Sequence, residues 1–367
     1  MGQLLLLISL INYPVYHGCA TAQNTPYVWI CEKESAYVYK SQNYGRNFLP
    51  PINFTYRYLF DIFALDSLNL WLCGEAGYIW HSSDGGESWQ PQNFGGSKFA
   101  TRIFFLDENY GWAACGEAIV LLTTNGGEEW QQIILPNPPF PAREVDFYGL
   151  HFVNENIGYL AAGRFPEGDS FRLGQGYIAK TTDGGYTWQL LLRDSLYDFF
   201  DVYFLDENRG YVCGGCDTNF SGILLYTNDG GRSWQYLTVP GNYLRAITKV
   251  GNKIFACGMF GTIVYSEDGI NWQRAATPPC STLFDISFSD SLNGCAVGNQ
   301  VVLYTNNGGR DWYYSSIGIK ENKSHFYKVN LKKDKNLFNP IGQKVNFVKK
   351  GIYFSYKNRK VIKFIAR

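Results

Sequence analysis

Histidine, methionine and charge are all scarce: 367 residues hold 4 His, 2 Met and only 17% Asp, Glu, Lys and Arg. So few histidines, none at ligand spacing from another, leave no basis for a histidine-built metal centre or a nucleophile–histidine pair. Low charge beside 46% hydrophobic residues excludes a disordered chain. No apolar run is long enough to span a bilayer, and no long helical periodicity occurs. What is abundant is 27 Tyr, 26 Phe, 10 Trp and 39 Gly, the composition of many short strands joined by tight turns.

The ends differ from the middle. Leu4 to Ile11 is a short apolar run, and Ala20-Thr21-Ala22 has the small-x-small pattern of a signal peptidase site. Residues 1–22 are therefore expected to be a removed export signal. Gly18-Cys19 offers an alternative, a lipid anchor on Cys19. No integral membrane segment is expected after cleavage. The formal net charge of zero conceals a split: residues 319–367 carry fourteen Lys/Arg against Glu321 and Asp334, or +12, leaving −12 elsewhere. Such a split marks a separate module. An acidic main body argues against nucleic acid as a partner.

One short motif recurs seven times. Its anchors are Asn43, Asp84, Asn125, Asp183, Asp229, Asp268 and Asn307, separated by 41, 41, 58, 46, 39 and 39 residues. Glycine follows each anchor within two residues. In six copies a tryptophan comes next: Trp89, Trp130, Trp188, Trp234, Trp272 and Trp312; the copy at Asn43 has Phe48 instead. Asp or Asn accepts backbone N–H bonds in such a turn, glycine supplies positive φ, and the aromatic returns as an apolar anchor whose ring should be buried between neighbouring repeats. Between turns, each repeat reads as four strands, A to D, with the motif joining C to D. A period near 40 of this kind closes into a ring that protects its sheet edges. The expected fold is all-β: a seven-bladed β-propeller of four-stranded blades over 23–318, plus a small C-terminal β segment over 319–367. The first repeat lacks strand A, because Tyr27 to Glu32 and Ser35 to Ser41 align with B and C, so Ser324 to Leu331 is the candidate to close the ring.

The S-x-D-x-G-x-[ST]-W turn resembles the Asp-box, or BNR repeat, of sialidases and other propellers. Phe105-Leu106-Asp107-Glu108-Asn109-Tyr110-Gly111-Trp112, echoed from Phe204 to Tyr211, looks most like the photosystem II stability/assembly factor family. The resemblance spans about 27–318 and implies a seven-bladed propeller. That propeller is reused outside photosynthesis, so the role stays open. The tail, with Leu337 to Val345, Gly351-Ile352-Tyr353 and a Lys-rich end, is similar to the C-terminal sorting domain of type IX secretion. A basic hairpin packed on the propeller is the alternative.

Several tempting features read as structural. Cys73, Cys115, Cys213 and Cys257 each precede the strand-B glycine, with Cys31 and Cys295 close to the same place, where a small apolar side chain is wanted. Cys213-Gly214-Gly215-Cys216 stands alone and makes no zinc site. Asp107/Glu108 and Asp206/Glu207 lie in A–B turns. No catalytic residue, metal or cofactor is expected. A sialidase-type glycosidase would need three arginines clamping a carboxylate; Arg57, Arg102, Arg143 and Arg245 exist, but that family's early F/Y-R-I-P signature is missing.

The longest insertions fall on the face of the B–C and D–A connections, where binding is expected. Asp61, Arg102, Asp201, Arg245 and Asp285, at the starts of strands A, should ring the channel mouth there. The leading expectation is a non-catalytic scaffold, exported to the outer surface of a bacterium, that binds protein or glycan and engages secretion machinery through its tail. A periplasmic location is the alternative to surface display. An assembly factor for a membrane protein complex is the second reading, and the glycosidase the third.

Overall fold

The computed structural model describes residues 14–54, 58–93, 99–135, 146–163, 176–216 and 219–317, together with backbone strands between 337 and 366. Seven antiparallel four-stranded blades form the unit that ends at Gly318. In chain order their innermost strands, A, are Tyr16–Thr21, Leu59–Ala64, Ala100–Phe105, Asp146–Phe152, Asp198–Phe204, Leu244–Val250 and Leu283–Phe288. Strands B, C and D follow each in turn; in blade 2 they are Leu70–Gly74, Tyr78–Ser82 and Gln90–Asn93. The second unit, 319–367, is described by itself. It holds a four-stranded antiparallel sheet in the order Lys344–Val345, Leu337–Phe338, Gly351–Lys357, Lys360–Ala366.

The start of the propeller differs from expectation. Tyr16–Thr21 supplies strand A of blade 1, pairing with Val28–Glu32. Cys19, Ala20 and Ala22 are buried. Cleavage after Ala22 would remove the innermost strand of the first blade, so the expected 1–22 boundary does not fit this fold. Lipid attachment at Cys19 fits no better, because its thiol is enclosed between blades 1 and 7. With that strand in place, no closing strand from the tail is needed; Ser324 to Leu331 lies outside the described residues. The ring closes instead through Cys19 N–H to Asp285 Oδ2 at 2.8 Å, Asn24 N–H to the Ser289 carbonyl at 2.7 Å, and a parallel pairing of Ser316–Ile317 with Asn47–Phe48.

The core is seven interfaces, each between neighbouring blades. Its largest members are aromatic. Trp71 stacks on Phe105 of the next blade with centroids 3.7 Å apart, Trp112 on Phe152 at 3.6 Å, and Tyr159 on Phe204 at 3.3 Å. Glycine follows in the motif because a Cβ on Gly111 would lie 2.4 Å from the Phe105 ring. The strand-B tryptophans also reach across blades: Trp29 Nε1 donates to Gly85 O at 3.0 Å and Trp112 Nε1 to Gly184 O at 2.7 Å. This inverts one expectation. Trp29, Trp71 and Trp112 are the fully buried tryptophans, whereas of the Asp-box tryptophans only Trp272 and Trp312 are buried; Trp89, Trp130, Trp188 and Trp234 are half-buried.

The Asp-box turns themselves form as read. In each, a Ser or Thr hydroxyl two residues before the anchor bonds the anchor and accepts a glycine N–H, as in Thr227 Oγ1 to Asp229 Oδ1 at 2.8 Å and Gly231 N–H to Thr227 Oγ1 at 3.0 Å. Gly230 and Gly231 sit at φ +73° and +88°, which only glycine adopts without strain. A second tie joins each full turn to the A–B turn, for example Gly230 N–H to Asn208 O at 2.8 Å. There Asp206 Oδ1 accepts the Asn208 and Arg209 N–H groups, so the repeated carboxylates are turn chemistry. All nine cysteines are free thiols, and all but Cys280 are buried.

Candidate functional site

Seven copies of strand A converge on the axis, and each slips register against strand B at one place. The extra residue of each bulge is His17, Phe60, Thr101, Tyr148, Phe200, Arg245 or Phe284. All seven line one cavity of about 330 Å3 on the face of the B–C and D–A connections. A bulge re-aims a side chain that a regular strand would pair, and here it aims seven toward the axis. The next residue of each strand is Gly18, Asp61, Arg102, Gly149, Asp201, Ala246 or Asp285.

Four of the five predicted mouth residues meet at this second level. Arg102 stands between three carboxylates: Nη2 to Asp201 Oδ2 is 3.0 Å, Nη1 to Asp285 Oδ1 3.4 Å, and Nε to Asp61 Oδ2 3.7 Å. They do not ring the mouth as expected. The three Asp side chains are about 5% exposed. Each also accepts a backbone N–H from the following blade: Ile103 on Asp61 at 2.9 Å, Ile247 on Asp201 at 3.0 Å, Cys19 on Asp285 at 2.8 Å. The cluster thus staples three blade junctions, the closing one included. Small residues in the preceding blades make room; a Cβ on Gly149 would lie 2.6 Å from Asp201 Cα. Arg245 is the exception. It occupies the bulge level, its guanidinium 4.0 Å from the Phe200 ring centroid and 5.2 Å from that of Tyr243, and Ala246 is the true counterpart of Asp61.

Arg102 lines the 330 Å3 cavity and also a second one, about 420 Å3, on the Asp-box face. The charged cluster is therefore a septum across the channel. Burial pushes Asp61 up to about 7 and Asp201 up to about 6, with Arg102 pulling both back down. Burial opposes the charge on Arg102, but its three carboxylates outweigh it and raise its pKa further. Burial holds His17 and His151 neutral, each lowered to about 4. His17 Nδ1 lies 2.7 Å from the Phe60 carbonyl oxygen and its ring stacks on Phe284. The sequence reading missed His17 by assigning it to a removed segment. The alignment of His17-Gly18-Cys19 with Phe60-Asp61-Ile62 was the available signal.

Among the described residues no group of His, Cys, Asp and Glu can hold a metal ion. The described arginines make no carboxylate clamp, since Arg102 is held by three aspartates and Arg245 lies against aromatic rings. Arg57 and Arg143 lie outside the described residues.

Fold and axis together define a seven-bladed Asp-box propeller whose channel is closed by its own ion cluster. Residues 51–196 match the family model of the photosynthesis system II assembly factor YCF48. A solved structure of YCF48 bound to D1 peptide is 16% identical, covering 80% of this chain and 94% of that one at a TM-score of 0.60. YCF48 from Cyanidioschyzon merolae is 16% identical, covering 81% and 97% at 0.59. The WD40 propeller domain of Doa1, 11% identical, covers 81% and 95% at 0.60. These likenesses carry the fold: the chain is a BNR-type propeller resembling the photosystem II assembly factor. A search of curated proteins finds no match.

Proposed function

We propose that this propeller is a non-catalytic scaffold that binds a protein partner across the face of the B–C and D–A connections. The observation that carries it is the bulge-lined cavity, where all seven blades contribute a side chain to one concave, largely aromatic surface. Aromatic and arginine side chains in a concavity are the usual anchors of a protein interface. The charged groups beneath are committed to one another, which favours recognition over turnover. The similar YCF48 structure that contains a D1 peptide supports a protein partner over a glycan. The test is capture of partners by the immobilised chain and by a Phe60→Ala/Phe284→Ala variant that retains the wild-type melt. Partners lost with the variant support the reading; partners held equally well place the binding surface elsewhere. The same preparations should hydrolyse no sialoside or other glycoside.

The match over 51–196 favours a second, narrower reading, an assembly factor for a membrane protein complex. Co-purification of unassembled membrane subunits would distinguish it from a surface scaffold. For location we propose export, with residues 319–367 acting as a sorting module. Deleting them should trap a folded propeller in the periplasm, and unchanged export would end that idea.

A further inference from the structure

We propose that the cavity on the B–C and D–A face is a binding site for a small aromatic carboxylate, whose ring lies among Phe60, Phe200 and Phe284 and whose carboxylate pairs with Lys33. This rests on the scaffold reading only in using the same face. A volume of about 330 Å3 lies within the range of small-molecule sites. The walls are flat: His17 stacks on Phe284 at 5.2 Å, Phe60 lies 5.7 Å from Phe99, and Tyr148 5.1 Å from Phe200. An aromatic ring fits such walls by the same offset and edge contacts they make with each other.

The sign of the ligand follows from the charged groups. Among the described residues Lys33, Arg102, Arg245 and Asp146 line the cavity, Asp146 accepting the Tyr148 hydroxyl at 3.3 Å; Arg102 is already matched by Asp61, Asp201 and Asp285 beneath it, so Lys33 is the cation that sets the sign. An aromatic cavity can also cage an ammonium ligand, but here protein cations already face two of the rings. Lys33 Nζ lies 5.0 Å from the Phe60 centroid, and Arg245 lies over Phe200. Burial first, then the fields of Lys33, Arg245 and Arg102, keep His17 neutral, so a further cation meets repulsion.

Lys33 is the group able to take an anion. Among the described residues no carboxylate lies within 4.0 Å of its ammonium, whereas Arg102 is held by three. Glu34 and Glu75 are felt at Lys33 only at longer range, and burial lowers its pKa. Its backbone is fixed on both sides: its N–H donates to Val15 O at 2.8 Å and its carbonyl accepts Leu59 N–H at 3.3 Å. One half-buried ammonium balances one negative charge, which fits a monoanionic carboxylate better than a phosphate dianion.

The experiment is calorimetric titration of the full chain with indole-3-acetate, indole-3-acetamide and tryptamine. The acid should bind, the isosteric amide should bind about tenfold more weakly, and the amine should not bind. Lys33→Gln should bring the acid to the affinity of the amide, leaving the amide and the melting temperature unchanged. Equal affinity for acid and amide, no binding of either, or a preference for the acid that survives Lys33→Gln would each overturn the proposal. Failure here with partner capture intact overturns this site alone; lost capture dependence with acid binding intact overturns the scaffold reading alone.

Discussion

The rim and the axis of this propeller are built from the same seven repeats under opposite rules. At the rim every Asp-box repeats one set of bonds: a Ser or Thr hydroxyl donates to the anchor, a glycine N–H donates to that hydroxyl, and an N–H further along donates to the anchor oxygen. At the axis the equivalent positions read Gly18, Asp61, Arg102, Gly149, Asp201, Ala246 and Asp285, and no two neighbours match. A turn satisfies its anchor and hydroxyl within five residues and adds the same bond to the A–B turn of its own blade in each full copy, so one solution serves all. The axial residues share a single small volume. Seven identical charges there would repel, and seven identical large side chains would not fit. Symmetry must break where the blades meet.

The largest expected effect comes from removing an axial strand. A chain beginning at Gln23 should fail to give a monodisperse, cooperatively melting propeller, whereas one beginning at Pro14 should behave like the full chain. Equal melts by circular dichroism would show that Tyr16–Thr21 is dispensable and return the expected cleavage at Ala22 to consideration.

Arg102→Met comes next. It leaves three buried carboxylates without their cation, at a cost of about 3–5 kcal/mol near pH 8. Protonation of Asp61 and Asp201 should recover part of that loss by pH 5. Adding Asp61→Asn should be milder than the sum of the two single changes, because the partners share one network. A melting temperature for Arg102→Met close to wild type at pH 8 would dissolve the contrast between axis and rim.

The rim should respond less and additively. Thr181→Val leaves the buried Gly185 N–H without its acceptor, a loss of about 1–3 kcal/mol. Thr305→Val, which removes the acceptor of the Gly309 N–H, should cost about the same, and the double variant should lose the sum, because the turns of blades 4 and 7 are not neighbours. Coupling between them in urea melts would contradict independent turns.

The smallest effect is in pH. Asp61 holds its proton up to about 7 when folded but titrates near 3.8 when unfolded, so the stability it lends in acid is lost as pH rises toward 7. His17 and His151 act oppositely: lowered to about 4, they contribute stability that is full above 6.5 and lost as pH falls through 4. Between pH 6.5 and 7.5 the Asp61 contribution dominates, with Asp201, raised to about 6, adding a smaller part of the same sign. The melting temperature should fall slightly across that interval, and Asp61→Asn should flatten it. An identical slope in the variant would assign the titration elsewhere.

Much of the rim was legible beforehand. The anchors, the glycines and the strand-B cysteines announce themselves by recurrence, because each answers a local demand. Phe105 and Gly111 were visible as a motif too, although their reason, a phenyl ring lying across a glycine backbone, belongs to packing. The Asp-box tryptophans misled: recurrence signalled a common position without saying how deep it lies. Arg245 stands out by its charge, but all seven strands bulge at the same place and the repeat puts Ala246, not Arg245, at the level of Asp61. Tyr16–Thr21 was hidden for another reason. A short apolar stretch before a small-residue site looks the same whether a peptidase or a β-sheet receives it.

Sequence alone thus determined the number of blades and the turn chemistry, and marked the cysteine positions by their recurrence; the turns arise from interactions a few residues apart. Tertiary structure alone decided that Gly18 makes room for Asp61, that one arginine neutralises carboxylates from blades 2, 5 and 7, and that seven bulges face one cavity. Those contacts join residues as far apart as Cys19 and Asp285, 266 positions along the chain. No local preference encodes them; they exist only once the ring has closed.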